Sequence, residues 1–462
     1  MSIQPINPVI FRAYDIRGLV GVDLTSDIAE TLGRAFGTYL LREYNQSTIV
    51  LGHDGRGTSP GFSNAWTIGL REVGVDVTSL GYAPTPLVAF AAHQWGMGGA
   101  VSITASHSSA KFNGAKLLRE LAMPLLPAEI NAVRDLAEEL DFENRVLGSL
   151  VERTAIPEYL AMLQNRYSVQ RPLRVVADPG YGVAALTGPS ALAAIGAEVI
   201  GIRTEMGGGG PGHIANPQQA ESLSILSARV VESGADIGVA WDEDGDRVGI
   251  VDETGRRYEA DWVVALLARG VISRLPGSKI LMDLKSSRGP ISNIKAYGGE
   301  PILAKTGYST FRRQMREQEI PFGGELSGHI MFGEDYPYID DGVMAACAVV
   351  EAIAAEGRPL SSHLADIPRF VTSPEIMLPC PDDDKFKIIS ALTEVFAEDF
   401  AVNTVDGVRI EFKDGWVHLR ASNTMPVLSV RIEAESLDRY EMIQSFVRDA
   451  LLAHSDVTIP SE

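Results

Sequence analysis

Short runs of β-branched and apolar residues recur at 48–52, 101–104, 175–177, 237–241 and 279–284, and longer stretches with helical spacing separate several of them. This alternation predicts an α/β fold. Several runs end abruptly in polar or glycine-rich residues: His53-Asp54-Gly55-Arg56, Ala105-Ser106-His107, Asp178-Pro179-Gly180 and Asp242-Glu243-Asp244-Gly245-Asp246-Arg247. In open α/β sheets, ligands collect beyond the carboxyl ends of strands, so chemistry is expected there. The apolar runs 263–272 and 345–355 carry Arg269 and Glu351 and are too short to span a bilayer, which predicts buried helices. The last part differs, with strand-like 407–412, 416–419 and 428–433 followed by a helical pattern over 437–453, as in a smaller α+β domain. Junctions at 151–156, 253–258 and the proline-containing 369–381 divide the chain into 1–150, 151–255, 256–368 and 369–462.

A length of 462 residues also exceeds what one hydrophobic core supports. The formal charge of -20 argues against non-specific binding to nucleic acid or anionic lipid, so a phosphorylated ligand would need a locally basic cleft. Cys347 and Cys380 form neither a metal cluster nor a disulfide framework, although one pairing stays open, and the N-terminal stretch lacks a basic start and apolar run. A cytoplasmic protein, monomeric or a small homo-oligomer, is expected.

Four motifs carry candidate chemistry. In the first, Asp242, Asp244 and Asp246 alternate between two strand-like runs; three such carboxylates either converge on a hard cation or decorate a solvated hairpin tip. A calcium EF-hand loop fails because its glycine position holds Arg247 and its flanks are strand-like. In Thr104-Ala105-Ser106-His107-Ser108-Ser109, with Asn113-Gly114-Ala115-Lys116 after it, Ser106 is a candidate nucleophile or part of a plain turn. Gly323-Gly324-Glu325-Leu326-Ser327-Gly328-His329 suits a polyhydroxylated sugar or a polar turn. Arg420-Ala421-Ser422-Asn423-Thr424-Met425-Pro426 offers phosphate-binding donors or a helix-capping turn. The glycine run 207–210 is no P-loop, because no Gly-Lys-Ser/Thr follows, and reads as a flexible loop.

In this order, together with Phe11-Arg12-Ala13-Tyr14-Asp15-Ile16-Arg17-Gly18 and Asp54-Gly55-Arg56, the motifs resemble the α-D-phosphohexomutase superfamily, in particular its bacterial phosphomannomutase/phosphoglucomutase branch, over nearly the whole chain. The resemblance implies three related α/β domains and a smaller C-terminal α+β domain around a central cleft. It implies reversible exchange between hexose 1-phosphate and hexose 6-phosphate, of mannose, glucose or both, through phosphorylated Ser106 and a hexose 1,6-bisphosphate that also serves as activator. Asp242, Asp244 and Asp246 match the Mg2+ ligands, with a phosphoserine oxygen of Ser106 completing the set. Glu325 and Ser327 match residues that hold sugar hydroxyls. Arg420, Ser422, Asn423 and Thr424 match the loop gripping the non-transferring phosphate, with Tyr14, Arg17, Lys285 and Tyr308 as further contacts. His107, Lys116 and His329 are candidates for proton transfer or charge stabilisation, and Arg247 for balancing the charge of the phosphorylated donor.

This chain departs from the family pattern at Ser108-Ser109, where many members have Asn-Pro and a more mobile nucleophile loop is therefore expected. Tyr308 stands where histidine is common, Glu243 adds a negative charge where glycine is common, and Met425 replaces a commoner polar residue. Phosphoglucosamine mutase is the near alternative; its phosphate loop typically reads Arg-Pro-Ser-Gly-Thr. A phosphatase with Asp242 as nucleophile, or a catalytically weak sugar-phosphate-binding homologue, would leave Ser106 idle.

Overall fold

The computed structural model describes residues 5–207, 215–422 and 426–453. Four sheets follow one another along the chain. The first has the order Ile16–Leu19, Phe112–Arg119, Gly99–Ile103, Thr48–His53, Asp76–Tyr82 and Leu150–Glu152, with Met123–Pro124 paired on Phe112–Arg119. The second runs Arg257–Tyr258, Val248–Asp252, Ile237–Trp241, Arg174–Asp178, Glu198–Gly201, and the third Glu300–Ala304, Lys279–Asp283, Phe322–Gly324, Ile330–Phe332.

These three sheets share a plan. Each has a parallel core, and one strand of that core turns straight back into an antiparallel neighbour: Gly99–Ile103 into Phe112–Arg119, Ile237–Trp241 into Val248–Asp252, Phe322–Gly324 into Ile330–Phe332. Each turn carries one of the first three motifs. The strands are buried on both faces, as parallel sheets covered by helices require, which is why their sequences read as continuous apolar runs. The apolar runs 263–272 and 345–355 fall within the helices Ala260–Arg274 and Gly342–Glu356. Asp341 caps the second of these, accepting from Met344 N at 2.8 Å and from the hydroxyls of Tyr159 and Tyr336.

The fourth sheet is antiparallel along Val402–Asn403, Val408–Phe412, Gly415–Ala421 and Val427–Ala434, with Val371–Thr372 and Ile376–Pro379 both on the last strand. Helices Asp382–Asp399 and Leu437–Leu452 pack against it.

One apolar core crosses the first three domains without a break, from Leu87 and Phe90 through Tyr159, Val175 and Trp241 to Val264, Met282, Phe322 and Val349. The fourth domain keeps its own core around Leu392, Val417, Leu428 and Val447. Its bonds to domain 3 are polar: Arg288 donates to the carbonyls of Phe412 and Gly415 and pairs with Glu411, and Arg409 donates to the carbonyls of Leu284 and Ser286. Cys347 and Cys380 are both buried and form no disulfide. Among the described residues no helix is long and apolar enough to cross a membrane.

Candidate active site

Ser106 closes the strand Gly99–Ile103 in left-handed backbone, φ +48°, with 1% of its surface exposed. That conformation is costly for a residue with a Cβ and needs surrounding structure to hold it. Thr104 Oγ1 accepts from Ser106 N at 2.8 Å, and Arg56 grips the loop from outside. The Arg56 guanidinium donates to the carbonyls of Ser106, Ser108, Ser109 and Phe112, while Asp54 accepts its Nε at 3.0 Å. Arg17 Nη1 donates to Ser108 Oγ at 3.0 Å. The Ser108-Ser109 loop, which lacks the proline, is thus held through its carbonyls and the Ser108 hydroxyl.

The hydroxyl of Ser106 donates to Asp242 Oδ2 at 3.1 Å, across 136 positions of sequence. Asp242, Asp244 and Asp246 are fully buried, each with a carboxylate oxygen within 4.8 Å of the others. Gly245, at φ +77°, makes the turn, and Asp242 Oδ1 accepts from Gly245 N and Arg247 N. Lys116 Nζ bonds Asp244 Oδ2 at 2.7 Å and also Asp246. Thr85, at the N-terminus of the helix Thr85–Gln94, donates through Oγ1 to Asp244 Oδ2 at 2.8 Å.

Charge is incompletely balanced here. Burial, then Asp244 and Asp246, pushes the Asp242 carboxyl well above its ordinary range. Burial acts the same way on Asp246, but Lys116 and His329 outweigh it and hold that group well below. Asp244 Oδ1 and Asp246 Oδ1 are buried without a hydrogen-bond partner. An unpartnered Asp244 oxygen and an Asp246 oxygen that meets His329 Nε2 only at 3.4 Å, beside an under-compensated carboxylate, fit a hard divalent cation, which takes oxygen donors and supplies the missing charge.

Glu243 behaves differently from the expectation that it adds negative charge. Burial, then Asp54, pushes its pKa up to about 8, so at neutral pH it is mainly the neutral acid.

In the third loop, Glu325 Oε1 accepts from Gly307 N at 2.6 Å, a donor aimed there by a φ of +131° that only glycine adopts readily. His329 Nδ1 lies 2.9 Å from Ser327 Oγ and 3.2 Å from Glu325 Oε2, and its Nε2 lies 3.4 Å from Asp246 Oδ1. Burial disfavours its charge, yet Asp246 and Glu325 outweigh both burial and Arg247 and raise it to about 9. Arg247 Nε sits 3.3 Å from His329 Nε2, a bond that needs the neutral ring. The two carboxylates favour the protonated ring, and a dication held by the aspartates would favour the neutral one. His107 is the opposite case: burial, then Arg247 and Arg17, hold it well below its ordinary value, a neutral ring with Nδ1 3.2 Å from Ser106 Oγ. Lys116 stays an ammonium, since its two aspartates outweigh burial.

Of the remaining candidates, Arg420, Lys285 and Ser422 stand on the domain 4 side, whereas Tyr308 lies by the reaction centre, its ring 5.7 Å from Lys116 Nζ and 6.1 Å from the His329 ring. Arg420 Nη1 pairs with Asp406 Oδ2 at 3.3 Å, and its Nε is buried without a hydrogen-bond partner. Lys285 Nζ reaches Glu375 at 3.1 Å. Ser422 is buried and its N donates to Val427 O, while Asn423 and Thr424 lie outside the described residues, as does Met425. Tyr14 and Tyr308 pack edge to face at 5.3 Å. The Tyr308 hydroxyl donates to Tyr14 O at 3.1 Å, so it is committed to the backbone in this conformation.

Arg56, Thr85, Asp340, Glu375 and Asp406 were not singled out as functional in the sequence. Asp340 Oδ2 lies 3.9 Å from His329 Nε2, with Arg312 at 3.4 Å from Oδ1. Only Arg56 carried a signal, its place just after a strand end.

Comparison with known proteins agrees with this arrangement. The models for phosphoglucomutase/phosphomannomutase alpha/beta/alpha domains I, II and III match residues 8–144, 157–255 and 259–370, and that for the C-terminal domain matches 375–450. A phosphomannomutase/phosphoglucomutase of Pseudomonas aeruginosa is 36% identical over 98% of this chain and 97% of its own. A phosphoglucomutase of Neisseria gonorrhoeae is 34% identical, covering 94% and 95%. The crystal structure of a phosphoglucomutase/phosphomannomutase family protein from Burkholderia thailandensis superposes with a TM-score of 0.91 at 34% identity, covering 97% and 98%. With all four domain models matched in order and full-length relatives at this identity, the chain belongs to the phosphoglucomutase/phosphomannomutase family.

Proposed function

We propose that this protein interconverts the 1- and 6-phosphates of a hexose, mannose, glucose or both, with Ser106 as phosphoryl carrier. The observation that carries the reading is the buried Ser106 hydroxyl bonded to Asp242 of the aspartate triad. Asp242, Asp244 and Asp246 would hold Mg2+, which when bound supplies positive charge beside the phosphorylated serine.

In the forward direction the phosphoryl group leaves Ser106 for the free hydroxyl of a hexose monophosphate, and catalysis rests on positioning and charge. Lys116 and Arg247 stabilise charge around the transferring group. His107, neutral and beside Ser106, and His329 are the groups placed to exchange a proton at the reacting oxygen. Glu325 and Ser327 take the sugar hydroxyls. Arg420 and Ser422 hold the distal phosphate with Asn423 and Thr424, helped by Tyr14 and Lys285, whereas Arg17, bonded to Ser108, and Tyr308, beside Lys116, serve the transferring end. The hexose 1,6-bisphosphate then turns over and returns its other phosphate to Ser106.

The test is a coupled assay with Mg2+, a trace of glucose 1,6-bisphosphate, and glucose 1-phosphate or mannose 1-phosphate in parallel. Wild type forms the 6-phosphate, and Ser106→Ala loses about 10⁴-fold or more in kcat. Chelation abolishes turnover and Mg2+ restores it. Full activity in Ser106→Ala would refute the carrier assignment, and the relative rates rank the sugars.

A further inference from the structure

A cavity of about 510 Å3 runs from His107, Arg247 and Ser327 outwards to the connectors that lead into domains 3 and 4. Its outer wall is basic, although the whole chain carries a formal charge of -20. Arg256, Arg257 and Arg369 are exposed there and form no ion pair among the described residues. Arg256 lies 5.1 Å over the Tyr258 ring and Arg369 6.0 Å over Trp262, so aromatic faces hold both guanidinium groups without neutralising them.

Arg431, deeper in the same wall and 1% exposed, bonds Glu259 at 2.6 Å through Nη2, but its Nε is buried with no hydrogen-bond partner. The other acid of the wall, Glu375, is engaged by Lys285 and Ser429. Arg431 also lies in the field of the buried Asp261 and Asp283, so the surplus of guanidinium donors over carboxylates lies with Arg256, Arg257 and Arg369, in a space that shares walls with the reaction centre. A phosphate monoester dianion is the chemistry that satisfies such a surplus.

Resting on the mutase reading above, we propose that Arg256, Arg257, Arg369 and Arg431 form a second phosphate-holding station, separate from the Arg420 loop, which retains the hexose 1,6-bisphosphate while it turns. The bisphosphate must release the Arg420 loop and the aspartate end at once in order to reverse, and at that moment neither end is anchored. A third cationic surface on the same cavity keeps one phosphate bound through the interval.

The station is tested by partitioning. Full-length enzyme carrying radiolabelled phosphate on Ser106 is mixed with unlabelled glucose 1-phosphate. Label that reaches glucose 6-phosphate has stayed through the turn, whereas label in free glucose 1,6-bisphosphate has escaped. In the double variant Arg256→Ala/Arg257→Ala, and separately in Arg369→Ala, the ratio of escape to product rises about fivefold or more, with partial recovery in the lysine variants. Melting curves check folding, and glutamine replaces alanine wherever a variant fails to fold. An unchanged ratio in folded variants overturns the station while leaving the mutase reading intact. Absence from wild type of labelled glucose 6-phosphate and, in a parallel run with mannose 1-phosphate, of labelled mannose 6-phosphate overturns the mutase reading itself, and the station with it.

Discussion

An apolar core crosses the boundaries of the first three domains, beside a second cluster around Phe36 and Trp66 within domain 1, whereas the core of the fourth stays within it and the domain is bound to domain 3 by arginine, lysine and glutamate side chains. The reaction end of the cleft belongs to the first kind of construction. Its three loops grow from strands buried on both faces, and Ser106, Asp242 and His329 are already within bonding distance of their partners. The anchoring end belongs to the second: Arg420 leans on Asp406 and Lys285 on Glu375. Polar interdomain contacts exchange with water at little net cost, so relative movement is the default there. On the mechanism proposed above, a donor end prearranged by buried strands would thus face a phosphate grip left adjustable by polar contacts.

The largest effect is expected at the reaction end. Arg56→Ala removes the donors to four loop carbonyls and is expected to lower kcat by about 10²-fold or more with KM changed less than about threefold, since a displacement of about 1 Å costs that much. Steady-state kinetics decide; a loss confined to KM would mean that substrate, not Arg56, builds the loop. At the anchoring end Arg420→Ala should raise KM by about tenfold or more while kcat falls less, because the lost contact holds substrate and transition state alike. A kcat-led loss would place both ends under one rigid frame.

The smallest effect concerns the hinge between domains 3 and 4. Burial opposes ionisation of Glu375, but Lys285 foremost, with Ser429 and Arg420, holds it down to about 2 from its ordinary 4.5. A folded-state value below the unfolded one stabilises the fold fully above the ordinary value and loses that stabilisation as pH falls from about 4.5 towards 2. Glu375→Gln should therefore lower the melting temperature by about 2–4 °C at pH 7, and by progressively less across that acid window. Calorimetry at both pH values checks it; an equal deficit at each would show that the pair's charge contributes nothing.

Residues contiguous in the sequence were the legible ones. Asp242, Asp244 and Asp246 lie in one turn, and so do Glu325, Ser327 and His329, so spacing alone put them together. Arg56 and Thr85 were missed as supports because their partners lie 50 or more positions away and nothing local marks a guanidinium that binds carbonyls. Glu243 was misjudged for a related reason: its charge depends on burial beside Asp54, which no local pattern encodes. The relatedness of the first three domains was expected only through resemblance, and their shared strand-and-return plan was not legible at all, since the three turns have unrelated sequences. The continuous core was illegible too, because residues buried on every side show no periodicity that says which domain they face.

The seclusion of Ser106 has a consequence for how the enzyme is charged with phosphate. A protein kinase works on a segment it can draw out as an extended strip, but this serine is 1% exposed, left-handed in backbone, and held in a loop whose carbonyls belong to Arg56. Pulling it free would break those bonds and uncover three buried aspartates. If Ser106 is the phosphoryl carrier proposed above, its first phosphate has to arrive from inside the cleft on a small molecule, so that the supply of sugar bisphosphate, rather than any signalling kinase, would set how much of the protein is ready to work.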